Sequence, residues 1–580
     1  MRGLERMIRA LRSSGVGTRN LNQLASRRSS ESLYAPEETI NHILSSGDLS
    51  ETPERFNFAR DIIEYWAKRE NRLRNDRVPA LWTVEQGSSS RKYSYRELSE
   101  LSKRIAGVFR DLGLEKGDRL LVCLPKCSEF WTILLGAIRY GLEICLVTSQ
   151  ATSEDLRLRI TRFDPRVVIS EKLDEVDSAC ADAQVMHKIS PRRKAKSWKN
   201  LNSLLDSAND FDGHQTSEND PCLIFFTSGT TGKPKMVEHS HSYTLAHVLT
   251  GKYYQCLEPS DIYWCMTDPG WSKVAWATFP TWLFGAGVFV DTSSRFSAQD
   301  TLKTLREFPV TKFCAPPTAY RTMLANSGST DSFRFPKLND CLSAGEPLNP
   351  EAYRAWKRLT GVDIREGFGQ SETMLIASTP RGQPIKPGSV GPPMKEHDIR
   401  VLDDDGNPVP RGTIGHLGIR VSPRRPLGLF RGYRGDPEKT SAAFKNDFYL
   451  TGDKVCADED GYLRFVSRSD DVITSSGYRI GPFEVESVLL EHDAVLESGV
   501  IGVPDPQRFE VIKAFIVLND NYLNHDPQEL IADIQAFVRR KTAPYKYPRQ
   551  IEFVKSLPKN IGGKIQRNLL REMERERRGA

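Results

Sequence analysis

Apolar positions along this chain fall into short runs separated by amphipathic stretches, and the period of each predicts its element. "RLLVCLP" (Arg119 to Pro125) is a short, β-rich apolar run, followed by a helical pattern through Tyr140. "EICLV" (Glu143 to Val147), a helical "SEDLRLRITRF" and "RVVIS" (Arg166 to Ser170) come next. This strand–helix alternation predicts a parallel sheet with helices on its faces. It recurs at "TKFCAPP", "LNDCLSAG" and "VDIREGFG", each separated from the next by a helical stretch. The longest apolar run, Trp131 to Val147, is interrupted by Arg139 and Glu143. It reads as a buried helix leading into a strand and makes a poor membrane span.

Between Lys395 and Val466 the texture changes to short strands and turns ("DDDGNP", "PRGTIG", "DEDGY"), which predicts a β-rich subdomain. After Asp470 an αβ pattern runs to the end. "DPQELIADIQAFVRR" opens with Asp526 as N-cap, Pro527 at the first helical position and Glu529 completing a capping box. The polar stretch Ser467 to Asp471 marks the main boundary, giving an N-terminal domain over 31–469 and a C-terminal domain over 470–580. The fold class is α/β, and 580 residues are too many for one core.

Composition changes this picture only at the N-terminus. Residues 1–30 carry seven arginines, five serines and a single acid, Glu5. On a helix, Leu4, Met7, Ile8 and Leu11 share one face and Arg2, Arg6 and Arg9 the other. That is the pattern of a mitochondrial transit peptide, with a basic tail as the alternative. Loss of this segment removes a charge of +7 − 1 = +6, which equals the formal net charge of +6 for the whole chain. The basic balance is therefore no argument for nucleic-acid binding. The ten cysteines are scattered and no second pair or histidine cluster completes a zinc set, so they read as reduced thiols.

The densest chemistry lies in "TSGTTGKPK", Thr227 to Lys235, straight after the apolar "CLIFF". Gly229 and Gly232 permit close backbone approach, Thr227, Ser228, Thr230 and Thr231 add hydroxyls, and Lys233 and Lys235 add charge. Such a nest suits a polyphosphate. A P-loop NTPase needs four residues between its glycines and a Ser/Thr after the lysine. Here two residues separate the glycines, and Pro234 follows Lys233. The Walker reading fails.

This loop resembles the phosphate-binding signature of the adenylate-forming superfamily: acyl-CoA synthetases, peptide-synthetase adenylation domains and luciferases. "SAGEP" (Ser343 to Pro347), "EGFGQSET" (Glu366 to Thr373), "YLTGD" (Tyr449 to Asp453), "SRSDDVITSSGYRIGPFEVE" (Ser467 to Glu486) and "LPKNIGGKIQR" (Leu557 to Arg567) agree with it in order and spacing, over about residues 60 to 570. "GYRIGPFEVES", "TAPYKYPR" and "GKIQRN" are most similar to the mitochondrial medium-chain acyl-CoA synthetases.

The resemblance implies a two-step reaction: a carboxylate and ATP give acyl-AMP and pyrophosphate, and coenzyme A then displaces AMP. It implies that Thr227, Ser228, Gly229, Thr230, Thr231, Gly232, Lys233, Pro234 and Lys235 hold phosphates, and that Glu372 ligates Mg²⁺. Gly345, Glu346 and Pro347, with Glu366, Gly367, Phe368, Gly369, Gln370 and Ser371, would wall the adenine and α-phosphate. Asp453 and Arg468 would hold the ribose. Lys564 would bridge the attacking carboxylate and the α-phosphate, making Lys564, Thr227 and Glu372 the expected catalytic residues. Gln150, Ser476, Gly477, Tyr478, Arg508 and Arg539 would take coenzyme A after the small, mobile C-terminal domain pivots at Asp470. Trp271, Val274 and Trp276 offer an apolar slot for the acyl chain or a place in the core, and Ser371 and Arg479 join the acyl set.

Departures from the family pattern are Phe368 for Tyr, Ser371 for Thr, His416 for an acid, and Gly562 for the Ser/Thr before Gly563 and Lys564. The implied protein is a mitochondrial-matrix ligase for medium-chain fatty or small aromatic acids, monomeric or a weak homo-oligomer, with ATP, Mg²⁺ and coenzyme A. The rivals are an adenylation enzyme loading a carrier protein and a non-catalytic nucleotide- or acyl-binding relative. Pyrophosphate release separates the last from the others.

Overall fold

The computed structural model describes residues 35–73, 78–85, 90–180, 183–227, 234–293, 295–325, 330–469, 471–475, 478–505, 508–542, 545–560 and 563–578. The amphipathic leader, Ser228 to Lys233, Asp470, Ser476, Gly477 and Gly562 lie outside these residues.

Two eight-stranded sheets form the bulk of the molecule. One runs in the order Gly432–Tyr433, Lys235–Ser240, Pro221–Thr227, Glu143–Leu146, Arg119–Cys123, Val167–Ser170, His187–Ser190, Lys199–Asn200. Its strands are parallel from Pro221–Thr227 onward and antiparallel at the Lys235–Ser240 edge. The other places Ile364–Gly369, Asp340–Ala344, Lys312–Cys314, Ile262–Cys265, Gly287–Asp291 and Leu81–Val84 in parallel, with an antiparallel strand at each edge. Parallel strands must be covered on both faces, and these are buried end to end at Val167–Ser170, Gly287–Asp291 and Asp340–Ala344. Helix Ser128–Tyr140 is buried along its whole length apart from Glu129, and ends at Gly141 in a left-handed cap before strand Glu143–Leu146. The apolar run is thus a core helix and strand, as its length and its two charges predict. Among the described residues no helix is long and apolar enough to cross a membrane.

A third, antiparallel sheet of five strands spans Ile399 to Arg468. It matches the β-rich texture with two exceptions. Pro437–Ala442 is a short helix capped by Asp436, and Gly432–Tyr433 leaves this sheet to pair with Val237 and Glu238 on the first. The fourth sheet holds Ile473–Ser475, Tyr478–Ile480, Val495–Asp505, Phe509–Leu518 and Gln550–Phe553, with helices Pro482–Leu489, Pro527–Lys541 and Arg567–Arg578. Sheet membership changes between Arg468 and Ile473, inside the polar stretch that marks the boundary in the sequence. Asp526 caps its helix by accepting from the amides of both Gln528 and Glu529. The return bond of a full capping box is not among the described bonds.

Candidate functional site

The glycine-rich loop is held by its feet. Thr227 ends one strand and Lys235 begins the next, and the two are antiparallel partners. The buried Leu223, Ile224 and Phe225 anchor the incoming strand. The Lys235 ammonium sits 4.5 Å from the centre of the Tyr433 ring, and the Tyr433 hydroxyl donates to Glu372 Oε1 at 2.9 Å. Burial, and then the Glu372 charge, push the phenol's pKa up, so it stays a neutral donor. Glu372 is fixed at its backbone too, where its carbonyl accepts from Phe430 N at 2.7 Å.

Strand Ile364–Gly369 leads into the turn Gln370 to Thr373. Here Gln370 Nε2 donates to Asp453 Oδ2 at 2.5 Å and to the Thr451 carbonyl at 2.8 Å. Asp453 and Arg468 face each other across an antiparallel pair, with Arg468 donating to Asp453 Oδ1 at 3.0 Å. Only 3% of Asp453 is exposed. Burial raises its pKa and Arg468 opposes the rise. Two sheets thus converge on one buried carboxylate. Glu366 behaves differently: its carboxyl accepts from Leu348 N at 2.8 Å, and burial pushes its pKa up to about 8. Its side chain braces the loop after Pro347. Phe368 packs beside the third sheet's core, and a Cβ at Gly369 would strike the Trp276 ring at 2.6 Å.

The "SAGEP" turn follows strand Asp340–Ala344. Gly345 has φ +103°, which excludes a side chain there without strain, and Glu346 accepts from Thr318 Oγ1 at 3.0 Å. Lys273, from helix Lys273–Leu283, donates to the Ala344 carbonyl at 2.9 Å. Lys564 comes to the same place from the segment between strand Gln550–Phe553 and helix Arg567–Arg578. Its side chain keeps accessible surface, yet surrounding protein desolvates the ammonium and lowers its pKa. Glu346 and Asp453 oppose that shift, while Arg468 and Lys273 add to it. The structure therefore gathers Lys564, Glu346, Asp453, Arg468 and Lys273 around one cleft.

Asn560 and Lys564 are tied to each other across its loop. Asn560 Oδ1 accepts from Lys564 N at 3.0 Å, Asn560 N donates to the Lys564 carbonyl at 2.9 Å, and Gly563 takes φ +82°. Just beyond, Arg567 makes a two-pronged bond to Glu486 at 2.7 and 2.8 Å and reaches Asp471 at 3.5 Å.

The remaining expected residues lie elsewhere. Tyr478 is 50% exposed and stacks on Tyr545 at 4.0 Å, while Arg539 covers the Tyr547 ring at 4.2 Å. Arg508 precedes Phe509, the strand partner of Ser475. Tyr478 and Arg539 thus flank one loop, on a solvent-facing side of the C-terminal sheet. Gln150 is exposed in the turn after strand Glu143–Leu146. Val274 is 1% exposed in the main core, Trp271 is half-buried, and Arg479 pairs through its backbone with Thr474. Ser371 Oγ bonds Ser272 Oγ at 2.9 Å.

A family model described as AMP-binding enzyme matches residues 69–434, and one described as AMP-binding enzyme C-terminal domain matches residues 484–564. The chain belongs to the AMP-binding enzyme family. This AMP-binding enzyme is 42% identical over 532 residues to the mitochondrial acyl-coenzyme A synthetase ACSM3 of Mus musculus, covering 90% of the chain and 91% of the relative. It is 42% identical over 530 residues to the mitochondrial acyl-coenzyme A synthetase ACSM5 of Homo sapiens, again covering 90% and 91%. Among solved structures, the anthranilate CoA ligase AuaEII in complex with anthranoyl-AMP superposes with a TM-score of 0.83 at 28% identity, covering 92% of this chain and 100% of that one. A benzoate CoA ligase from Burkholderia xenovorans gives 0.77 at 27% identity, covering 89% and 100%.

Lys273, Tyr433 and Asn560 are absent from the residues singled out in the sequence. Tyr433 reaches the cleft only through strand pairing with Val237, and Lys273 reaches it from the start of the helix that carries Val274 and Trp276. Asn560 was legible as an Asn four residues before the lysine, a residue type that closes turns through its own amide.

Proposed function

We propose that this enzyme is an ATP-dependent acid–CoA ligase that works through an acyl-adenylate. The observation that carries the reading is the convergence of Lys564, Asp453, Arg468, Glu346 and Lys273 on one cleft beside the feet of the glycine-rich loop. Joining a carboxylate to the α-phosphate of ATP brings anion against anion, so fixed cations and donors must supply most of the stabilisation. Lys564 holds the attacking carboxylate and the α-phosphate, and Thr227 to Lys235 hold the outer phosphates. Asp453 accepts from the ribose hydroxyls, and Arg468 and Gln370 fix its two oxygens in place.

Glu372 fits Mg²⁺: Tyr433 occupies Oε1, and Oε2 has no hydrogen bond among the described residues. No group of three or more His, Cys, Asp or Glu among those residues is arranged to hold a metal, so the ion would be shared with substrate phosphates, as Mg²⁺ commonly is. When bound it neutralises phosphate charge.

The second step calls for different groups at the same adenylate. Tyr478 and Arg539 are exposed on the C-terminal sheet and helix while Lys564 lies within reach of the Asp453 and Glu346 charges, which supports a pivot at Asp470 that exchanges them. Gln150 would meet coenzyme A on the N-terminal side. The acids are medium-chain fatty or small aromatic ones, and the site of action is the mitochondrial matrix, with residues 1–30 as the leader. An assay of coenzyme A-dependent AMP release across straight-chain and aromatic acids tests the reading. Absence of AMP and pyrophosphate with every acid would remove it, and a reporter fused to residues 1–30 that stays cytosolic would remove the address.

A further inference from the structure

Two cysteines lie side by side at the edge of the cleft. Strand Ile262–Cys265 runs parallel to strand Lys312–Cys314, and Cys265 and Cys314 are partners in register at the C-terminal ends of both. Met266 N donates to the Cys314 carbonyl at 2.8 Å, which fixes that register just beyond the pair. Both side chains take the same face of the sheet. Cys314 belongs to the main core and Cys265 packs against it, whereas their strand neighbours Trp264 and Phe313 pack in the core on the other face. Cys314 is 2% exposed and Cys265 is half-buried, so the pair meets solvent through Cys265.

The surroundings set this pair apart from the other thiols. Lys273 donates to the Ala344 carbonyl at 2.9 Å, faces both cysteines, and makes no salt bridge among the described residues. The Cys265 thiol, then the Lys273 ammonium and the Tyr263 hydroxyl, hold the Cys314 thiol below its usual range against the effect of burial. Cys314 in turn raises the pKa of Cys265, so the proton the pair retains stays there. By contrast, burial pushes Cys123, Cys127 and Cys145 up to about 12, and raises Cys222 and Cys341 as well. A thiolate beside a cation, partly accessible and next to a second thiol, is oxidisable; buried neutral thiols are inert.

We propose that Cys265 and Cys314 form a redox-modification site: a hydroperoxide converts the two thiols to a disulfide, and the disulfide slows the adenylate step. The thiolate of the pair attacks one peroxide oxygen, breaking the O–O bond and giving a sulfenic acid. The hydroxide that leaves takes up the proton this thiol had released, as water. The second sulfur then attacks the sulfenic sulfur, forms the S–S bond, and expels the sulfenic oxygen as a second water with its own proton. The two sulfurs lose two electrons, and the peroxide takes them up. Neighbouring strands stand about 4.8 Å apart, inside the Cα range of about 4.4–6.8 Å that a disulfide spans. Side chains standing parallel at that spacing are wider apart than the roughly 3.8 Å between Cβ atoms of a relaxed bridge, so the bond stays easy to reduce.

The effect on catalysis rests on the ligase reading. Oxidation removes the thiolate that faces Lys273, and Lys273 holds the Ala344 carbonyl at the start of the turn that carries Glu346. One wall of the cleft is altered while Lys564, Asp453 and Arg468 are untouched.

The test treats the full chain with hydrogen peroxide, blocks the remaining thiols, and maps disulfides by mass spectrometry of an unreduced digest. AMP release is measured before treatment, after it, and after dithiothreitol. A Cys265–Cys314 cross-linked peptide should appear, AMP release should fall about fivefold or more, and dithiothreitol should reverse both. Cys265→Ser, with Cys314→Ala as the second variant, should each keep its own untreated rate through the same exposure. No cross-linked peptide, a cross-link that leaves the rate unchanged, or equal losses in wild type and both variants overturns the inference and leaves the ligase reading standing. No AMP release from the untreated protein overturns the ligase reading and with it the control, and the peptide map then decides the chemistry of the pair alone.

Discussion

Replacing Asp453 with asparagine isolates what its charge does. The carboxylate is 3% exposed, with Oδ1 held by Arg468 at 3.0 Å and Oδ2 by Gln370 at 2.5 Å. Alanine would empty a buried site and release both partners, mixing a folding defect with a binding one. Asparagine keeps the shape and one acceptor oxygen. In the ligase reading each oxygen also accepts from a ribose hydroxyl. A hydrogen bond to a charged group contributes about 1.5–3 kcal/mol and a neutral one about 0.5–1.5 kcal/mol. One bond weakened from charged to neutral and one lost, because the amide NH2 cannot accept, cost about 2.5–4.5 kcal/mol together, which is roughly a 70- to 2,000-fold rise in the KM for ATP. The new amide NH2 meets a donor, Arg468 or Gln370, on whichever side it lies, so some stability is lost and the melt is needed to separate that loss from the binding one. The assay is the KM for ATP and for the acid in the same preparation, beside a thermal melt. An ATP KM within about threefold of wild type, in a protein still folded at the assay temperature, would refute the assignment.

Three further outcomes follow from the same geometry. Glu366, its pKa pushed up from 4.5 to about 8, keeps its proton when folded, while the unfolded chain loses it, so stability should fall as pH rises through that window. Glu366→Gln should flatten the slope and be worth on the order of 4 kcal/mol at pH 8, read from denaturant midpoints at pH 5 and pH 8. Asn560→Ala removes the cap on the Lys564 turn, and loss of one neutral bond predicts about a two- to tenfold slower acyl-AMP formation in rapid-quench measurements. Arg567→Ala leaves Glu486 buried without its counter-ion and should destabilise the C-terminal region by about 3 kcal/mol, seen as earlier proteolysis there.

The strand–helix order was readable because its signal is local. Apolar runs such as Leu120 to Cys123 can be buried on both faces only within a parallel sheet, and each has its helix beside it in sequence. The cleft was readable only where short motifs carry it. Asp453 and Arg468 lie fifteen residues apart and meet through strand register, which no spacing rule states. Tyr433 reads as part of the β-rich stretch, yet it crosses to another sheet and touches both Lys235 and Glu372. Glu366 shows the converse: a motif residue whose side chain turns inward to Leu348. Gly562 departs from the family's Ser/Thr beside the lysine's glycine, and the nearby Asn560 supplies a capping bond to Lys564 that the motif comparison could not weigh.

The central claim is that one lysine serves one half of a two-step reaction. Lys564 is the residue to change, because its ammonium shares the cleft with Asp453, Glu346, Arg468 and Lys273 while Tyr478 faces solvent. Stopped-flow measurement of Lys564→Ala should show acyl-AMP formation slowed about a hundredfold or more, with thioester formation from preformed acyl-AMP and coenzyme A near the wild-type rate. Equal impairment of both steps, or of neither, would contradict the account.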